Sequence, residues 1–190
     1  MKLTYEKITR ENVDVAIEIL KEAFSVVYGS PALELLAYLG GKSEISLQPY
    51  LVLFEGKPVG TVGLYELDER DEIWLWYYCV RTEYRGRGFG KRILQDSIEM
   101  ARTQKGKNVL RVWTYSVWNA AAQAVYRQLM PLCEDYTNPN DDKRLIEEGK
   151  PLVYSMSFDG SAILPWSNRF LDLGYEWRQH NVFINLEENN

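Results

Sequence analysis

Seven consecutive residues, Arg85-Gly86-Arg87-Gly88-Phe89-Gly90-Lys91, combine three glycines at every second position with three cations. Glycine has no Cβ, so a backbone rich in it can approach a ligand closely. An apolar run ending in Cys79-Val80 leads into the turn, and residues 91–100 read as a helix. The turn therefore falls where unpaired helical N–H groups point outward. Those donors and the helix dipole favour an anion, and Arg85, Arg87, Lys91 and Arg92 add positive charge. The chemistry expected is a pyrophosphate cradle; the plainer alternative is a tight strand-to-helix connection with no ligand. Two other phosphate motifs fail on spacing. The nucleotide-hydrolase loop needs Ser or Thr after Gly-Lys, and Arg92 stands there. The dinucleotide fingerprint needs a glycine where Lys91 stands, and an early βαβ unit. A single Arg-Gly-Arg-Gly is too short for an RNA-binding repeat.

The elements that must position this turn follow from periodicity. Residues 3–8 alternate as a first strand, and Thr9 is expected to cap a helix carrying Val13, Ile17, Leu20, Phe24 and Val27. Ser30 and Pro31 open a second, short helix that Gly40-Gly41 ends. Residues 50–55 and 59–67 form a hairpin around Gly56-Lys57-Pro58. Residues 73–80 are apolar almost throughout, as in a strand buried on both faces. A helix over 91–103 turns Ile93, Leu94, Ile98 and Ala101 inward, and a strand (109–115) and a helix (119–130) follow.

Arg85-Gly86-Arg87-Gly88-Phe89-Gly90 resembles the Arg/Gln-x-x-Gly-x-Gly/Ala motif of the GNAT superfamily of acetyl-CoA-dependent N-acetyltransferases, with similarity over about residues 2–130. The resemblance implies an α/β (α+β) fold: a mixed, mostly antiparallel sheet splayed at strands four and five, flanked by helices. It implies acetyl-CoA as cofactor, with Arg85 and the N–H groups of Arg87, Gly88, Phe89, Gly90 and neighbouring Gly86 and Lys91 at the pyrophosphate. The strand edge at Cys79-Val80 would hold the pantetheine arm and polarise the thioester carbonyl. It further implies that Asn119 contacts the cofactor arm and that Tyr126, seven residues on, protonates the departing thiolate. That spacing is close to two helical turns. By themselves Asn119 would be a helix cap and Tyr126 a core aromatic.

A protonated amine must lose a proton before it attacks. Residues 73–80, where many relatives carry a carboxylate, have none. Glu66, Asp68 and Glu72 are the nearest candidate bases, with solvated turn charges as their ordinary reading and a tyrosine-held water chain as the alternative. Trp76 and Tyr78, with Trp113 and Tyr115 nearby, are either core or the wall of an acceptor pocket suited to a cation or flat ring.

Beyond Met130 two alignments compete. One puts the last two strands at 132–137 and 152–158, which makes 1–158 the acetyltransferase domain and 159–190 a C-terminal helix–strand extension. The other begins the terminal strands at Gly174-Tyr175 and makes 131–165 an insertion. The first is preferred.

A chain of 190 residues, 46% hydrophobic and 26% charged, is one domain with a full core. A net charge of −5 argues against a nucleic-acid partner and suits a cationic substrate. Two cysteines and the single His180 give no disulfide framework and no metal site. With no signal-like segment and no membrane-length apolar run, a cytoplasmic protein is expected. The expected reaction is direct acetyl transfer to a primary amine on a small molecule or peptide. The rivals are a non-catalytic acyl-CoA sensor or scaffold, and a structural partner subunit. The aromatic C-terminal strand offers a surface for homodimer pairing.

Overall fold

Strand β1 (Thr4–Lys7), helices α1 (Val13–Ala23) and α2 (Pro31–Leu39), and strands β2 (Ser46–Phe54), β3 (Lys57–Glu66) and β4 (Glu72–Val80) come first along the chain. Helix α3 (Phe89–Arg102), strand β5 (Val109–Tyr115), helix α4 (Ala120–Leu129) and strands β6 (Leu132–Asp135) and β7 (Pro151–Ser157) follow. The structure is a computed structural model and describes residues 1–24, 31–42, 46–66, 71–116, 120–135, 151–164 and 166. One seven-stranded sheet runs in the order β1-β2-β3-β4-β5-β7-β6, antiparallel throughout except for the parallel β4–β5 pair. This is the mixed, mostly antiparallel sheet with flanking helices that the resemblance implies.

Local chemistry sets the element ends. Pro31 opens α2, and Gly41 closes it in a left-handed conformation (φ 70°). There the N–H groups of Gly41 and Lys42 donate to the carbonyls of Tyr38 and Ala37, which satisfies two terminal acceptors. The β2–β3 turn is Glu55-Gly56, with φ 52° and 76°, so β3 begins at Lys57 rather than after Pro58. Two consecutive positive φ values match the right-handed twist of the flanking strands. Thr9 does not cap α1. Asn12 occupies that position and makes no side-chain cap; its Oδ1 instead accepts from the Thr9 N–H at 2.8 Å.

The sheet separates two apolar layers. Ile8, Val13, Ala16, Ile19, Leu20 and Leu35 pack with Trp76 and Cys79 on the α1/α2 face. Phe89, Ile93, Leu94, Ile98 and Ala101 of α3 pack with Ile73, Leu75, Leu110, Tyr126 and Tyr154 on the other. The inward residues predicted for α3 are the ones buried.

β7 joins the sheet beside β5 and β6 pairs with its far edge, so two strands lie at 132–135 and 151–157, where the preferred alignment expects them; the residues from Gly174 on lie outside the described residues. A buried charge cluster ties this half together. Arg111, with 0% side-chain exposure, donates to Glu72 (2.7 Å), Glu134 (3.3 Å), Ser155 Oγ (2.8 Å) and the Leu164 carbonyl (2.7 Å). Glu134 also accepts the Trp166 N–H at 2.8 Å. Apart from residues 159–164 and Trp166, the expected extension 159–190 lies outside the described residues, as do Asp68 and Asn119. Among the described residues, no helix is long and apolar enough to cross a membrane and no group of three or more metal-ligand side chains occurs.

Candidate active site

β4 is regular at its start and interrupted near its end. Thr61 pairs with Cys79 and Gly63 with Trp76, so Tyr77 and Tyr78 together face the single residue Val62. This is a β-bulge, and Tyr77 carries the strain as a non-glycine residue at φ 26°. The Thr61 hydroxyl steadies it by donating to the Tyr77 carbonyl at 3.1 Å. The extra residue turns two consecutive side chains, Trp76 and Tyr77, onto the α1/α2 face and leaves Tyr78 on the α3/α4 face.

The bulge coincides with a parting of the sheet. β4 and β5 pair only through Glu72, Ile73 and Trp74, whereas β5 stays paired with β7 through Tyr115. From Leu75 onward the β4 edge facing β5 has no strand partner among the described residues. It is open to an extended ligand that brings its own amides.

The glycine turn begins where this edge stops. Gly88 is the N-cap of α3 at φ 83° and gives no side-chain cap, and no acidic residue stands in the first helical turn. Arg85, Gly86, Arg87 and Gly88 are exposed beside the parting of the sheet, and the Arg85 N–H itself donates to the Thr82 carbonyl at 3.2 Å. Gly90 has a different reason to be glycine: a Cβ there would come within 2.7 Å of the Tyr78 hydroxyl. Arg85 Nε donates to the Val80 carbonyl at 3.0 Å, which folds the side chain back over the end of β4. Arg87 lies 5.5 and 5.6 Å from the Tyr84 and Phe89 ring centroids, and the Phe89 side chain is core. Glu22 of α1 pins the turn from outside through Arg81 and the Thr82 N–H.

Tyr126 projects from α4 onto this gap, with its ring centroid 5.9 Å from Tyr78 and 5.3 Å from Tyr154. Burial pushes its pKa well above the ordinary phenol value, so it presents a protonated O–H. Cys79 is buried beside Thr61, and burial raises its thiol to about 11.

On the opposite face of the bulge lies a carboxyl group. Glu34 of α2 is 4% exposed, and its Oε1 accepts from the Tyr77 hydroxyl at 2.8 Å while Oε2 accepts from Trp76 Nε1 at 3.4 Å. Desolvation raises its pKa to about 8 against the two hydrogen bonds, which lower it. Glu66 and Glu72 are elsewhere. Glu66 ends β3 and pairs with Lys107 at 2.7 Å, and Glu72 begins β4 inside the Arg111 cluster. Both sit at the end of the sheet where β4 and β5 are still joined, away from the glycine turn.

The Acetyltransferase (GNAT) family model matches residues 13–130. The chain belongs to the GNAT family of acetyltransferases. No curated protein sequence matches this acetyltransferase, but solved structures share its fold. A chimera of the spermidine N-acetyltransferase SpeG from Vibrio cholerae and hSSAT aligns with TM-score 0.63 at 14% identity, over 90% of this chain and 99% of that one. The ribosomal-protein-S18-alanine N-acetyltransferase of Escherichia coli gives 0.61 at 16%, covering 87% and 99%. Arabidopsis thaliana Naa50, in complex with the bisubstrate analogue CoA-Ac-MVNAL, gives 0.61 at 17%, covering 83% and 100%.

The fold thus brings the β4 edge at Cys79-Val80, the 85–91 turn and Tyr126 to the end of the sheet where β4 and β5 part, and leaves Glu66 and Glu72 at the other end. Sequence reading missed Glu34. Its only local signal was an acid in the first turn of an otherwise apolar helix, which reads equally well as a complement to the helix dipole.

Proposed function

We propose that the protein is an N-acetyltransferase that moves an acetyl group from acetyl-CoA directly to a primary amine. The observation that carries the reading is the parting of β4 from β5 beside an uncapped, glycine-rich helix start, with Tyr126 facing the gap. When bound, acetyl-CoA supplies a thioester-activated acetyl group. The N–H groups of residues 87–90 and the terminal nitrogens of Arg85 bind its pyrophosphate, with Gly86 and Lys91 completing the cradle. The open backbone at Cys79-Val80 aligns the pantetheine amides, and the β4 N–H groups at the bulge polarise the carbonyl. Asn119 contacts the cofactor arm. Tyr126 gives its phenolic proton to the sulfur as the C–S bond breaks. An amine acceptor is consistent with the alanine and spermidine enzymes among the structural neighbours and with the net charge of −5.

Thermal unfolding with acetyl-CoA tests the binding half, because a ligand that binds only the folded state raises Tm. A rise in wild type that disappears in Arg85→Glu/Gly88→Glu supports the cradle; no rise at saturation removes it. Tyr126→Phe is expected to keep the rise and lose about 100-fold in thiol release with an amine acceptor. The absence of a carboxylate on the open stretch of β4 favours one second reading, an acyl-CoA sensor. Coenzyme binding without turnover across an amine panel would support that instead.

A further inference from the structure

A carboxyl that is buried, held by two donors and lacking a cation invites a question that Arg111 makes concrete. Glu72 and Glu134 are buried against a guanidinium, so their charge is compensated. Glu34 is equally buried, yet its partners are the neutral Tyr77 hydroxyl and Trp76 indole, and no Lys or Arg pairs with it among the described residues. Burying a carboxylate without a counter-ion is costly unless something supplies one. Its surroundings suit a cation. Phe24 and Tyr77 meet edge to face at 5.0 Å, Trp76 and Tyr77 at 4.9 Å, and such rings attract ammonium groups as well as excluding water.

Location adds the second argument. The bulge turns Tyr77 toward α2 and the next residue, Tyr78, toward Tyr126. Glu34 and Tyr126 therefore meet consecutive residues of β4, Tyr77 and Tyr78, on opposite faces, at the level where the sheet parts. We infer that Glu34 is the group that takes the proton from the acceptor ammonium, the amine reaching the open stretch of β4 from the α2 face while the sulfur departs on the Tyr126 face. The inference rests on the acetyl-transfer reading above and assigns its missing base and its acceptor class, a protonated primary amine.

The proton count closes. The ammonium gives one proton to Glu34, and its freed lone pair forms the C–N bond at the thioester carbon. The C–S bonding pair leaves with sulfur, which takes the Tyr126 proton, and Tyr126 recovers a proton from the second N–H of the newly bonded nitrogen. With a pKa of about 8 the free protein mostly holds this proton at neutral pH; an arriving ammonium favours the ionised form, so the group gives its proton to water as the cation binds and then takes the proton of the ammonium. The products are the amide, the free thiol and that one proton in water. The titratable groups facing it, Tyr65 from β3 and Tyr77 from β4, are themselves raised by burial and stay neutral, so they do not compete for the role.

Two amines of similar size separate a base from a structural carboxyl. Ethylamine is almost wholly protonated at neutral pH, and 2,2,2-trifluoroethylamine is mostly neutral. Glu34→Gln keeps the shape and the acceptor oxygen. It is expected to lower turnover of ethylamine about 100-fold or more and that of trifluoroethylamine far less, with the acetyl-CoA-induced rise in Tm retained. An activity-independent readout accompanies it: the infrared carbonyl band of a protonated carboxyl, lost as pH rises through about 8 in wild type and absent from Glu34→Gln. Equal losses for the two amines, no loss for either, or no titrating band overturn the assignment. So does a wild type that binds acetyl-CoA and acetylates neither amine. The first three outcomes spare the acetyl-transfer reading when wild type acetylates ethylamine and its Tm still rises with acetyl-CoA; binding without turnover of either amine counts against that reading as well, and if the rise in Tm is missing, both fall together.

Discussion

The two ends of β4 are built on opposite principles. At its start the strand pairs with β5 from Glu72 and with β3 from Trp74, and Glu72 is locked by a guanidinium with no exposed surface. At Tyr77–Val80 it is bulged, strained and paired on one side only. Both ends bury a carboxyl group, Glu72 with a charged partner and Glu34 without one. The difference teaches that burial alone does not mark a reactive acid. Compensated charge makes a rivet, and uncompensated charge beside an opening makes a group that can change protonation.

Breaking the rivet should have the largest effect. Arg111→Met strands Glu72 and Glu134 in the interior and is expected to cost about 3–5 kcal/mol in urea unfolding. Any folded fraction should still bind acetyl-CoA, because the cluster lies at the closed end. At the open end, the raised pKa of Glu34 sets a sign. Below about 4.5 the group is protonated in both folded and unfolded chains and contributes no pH dependence. Between about 4.5 and 8 the folded state alone holds the proton, so stability falls as pH rises; above about 8 the loss is complete. Glu34→Gln removes this slope, and the stability difference between wild type and variant should move by roughly 2 kcal/mol or more across that window. A slope unchanged in the variant would contradict the burial argument.

Gly90→Ala sharpens the comparison from the helix side. Its new methyl meets the Tyr78 hydroxyl, so a loss of about 1–3 kcal/mol and a smaller acetyl-CoA Tm shift are expected. Adding Tyr78→Phe deletes the clashing oxygen and should recover much of both. The smallest effect is expected from Tyr77→Phe. The hydroxyl lowers the Glu34 pKa by donating to it, so its loss should shift the acidic limb of kcat/KM upward by about one pH unit. A downward shift would contradict the hydrogen-bond assignment.

Much of this was legible in the sequence because it is local. The glycine turn, the apolar β4 run, the α3 stripe and both terminal strands are carried by residues adjacent in the chain or one helical turn apart. What escaped was non-local. Glu72 reads as a turn charge until Arg111, 39 residues on, reaches it. Glu34 reads as a first-turn acid until Tyr77, 43 residues on, supplies its hydrogen bond. The bulge hid for a different reason. Alternation reveals a slip only when the two faces differ in polarity, and Trp74-Leu75-Trp76-Tyr77-Tyr78 is apolar or aromatic on both. The glycines were recognised, but their reasons differ: Gly88 for a left-handed cap and Gly90 for room beside a phenol. The Glu55-Gly56 turn also lay one residue pair earlier than the proline suggested.

Cys79 turns the open end of β4 into its own clock. Its sulfur is buried, bonded to Thr61 and held at a pKa of about 11, whereas Cys133 is exposed. In a Cys133→Ser chain, a thiol-specific dye can react only as fast as the strand opens to let it in. The colour that develops over time measures how often this edge breathes, and any molecule that seats along it should slow the count.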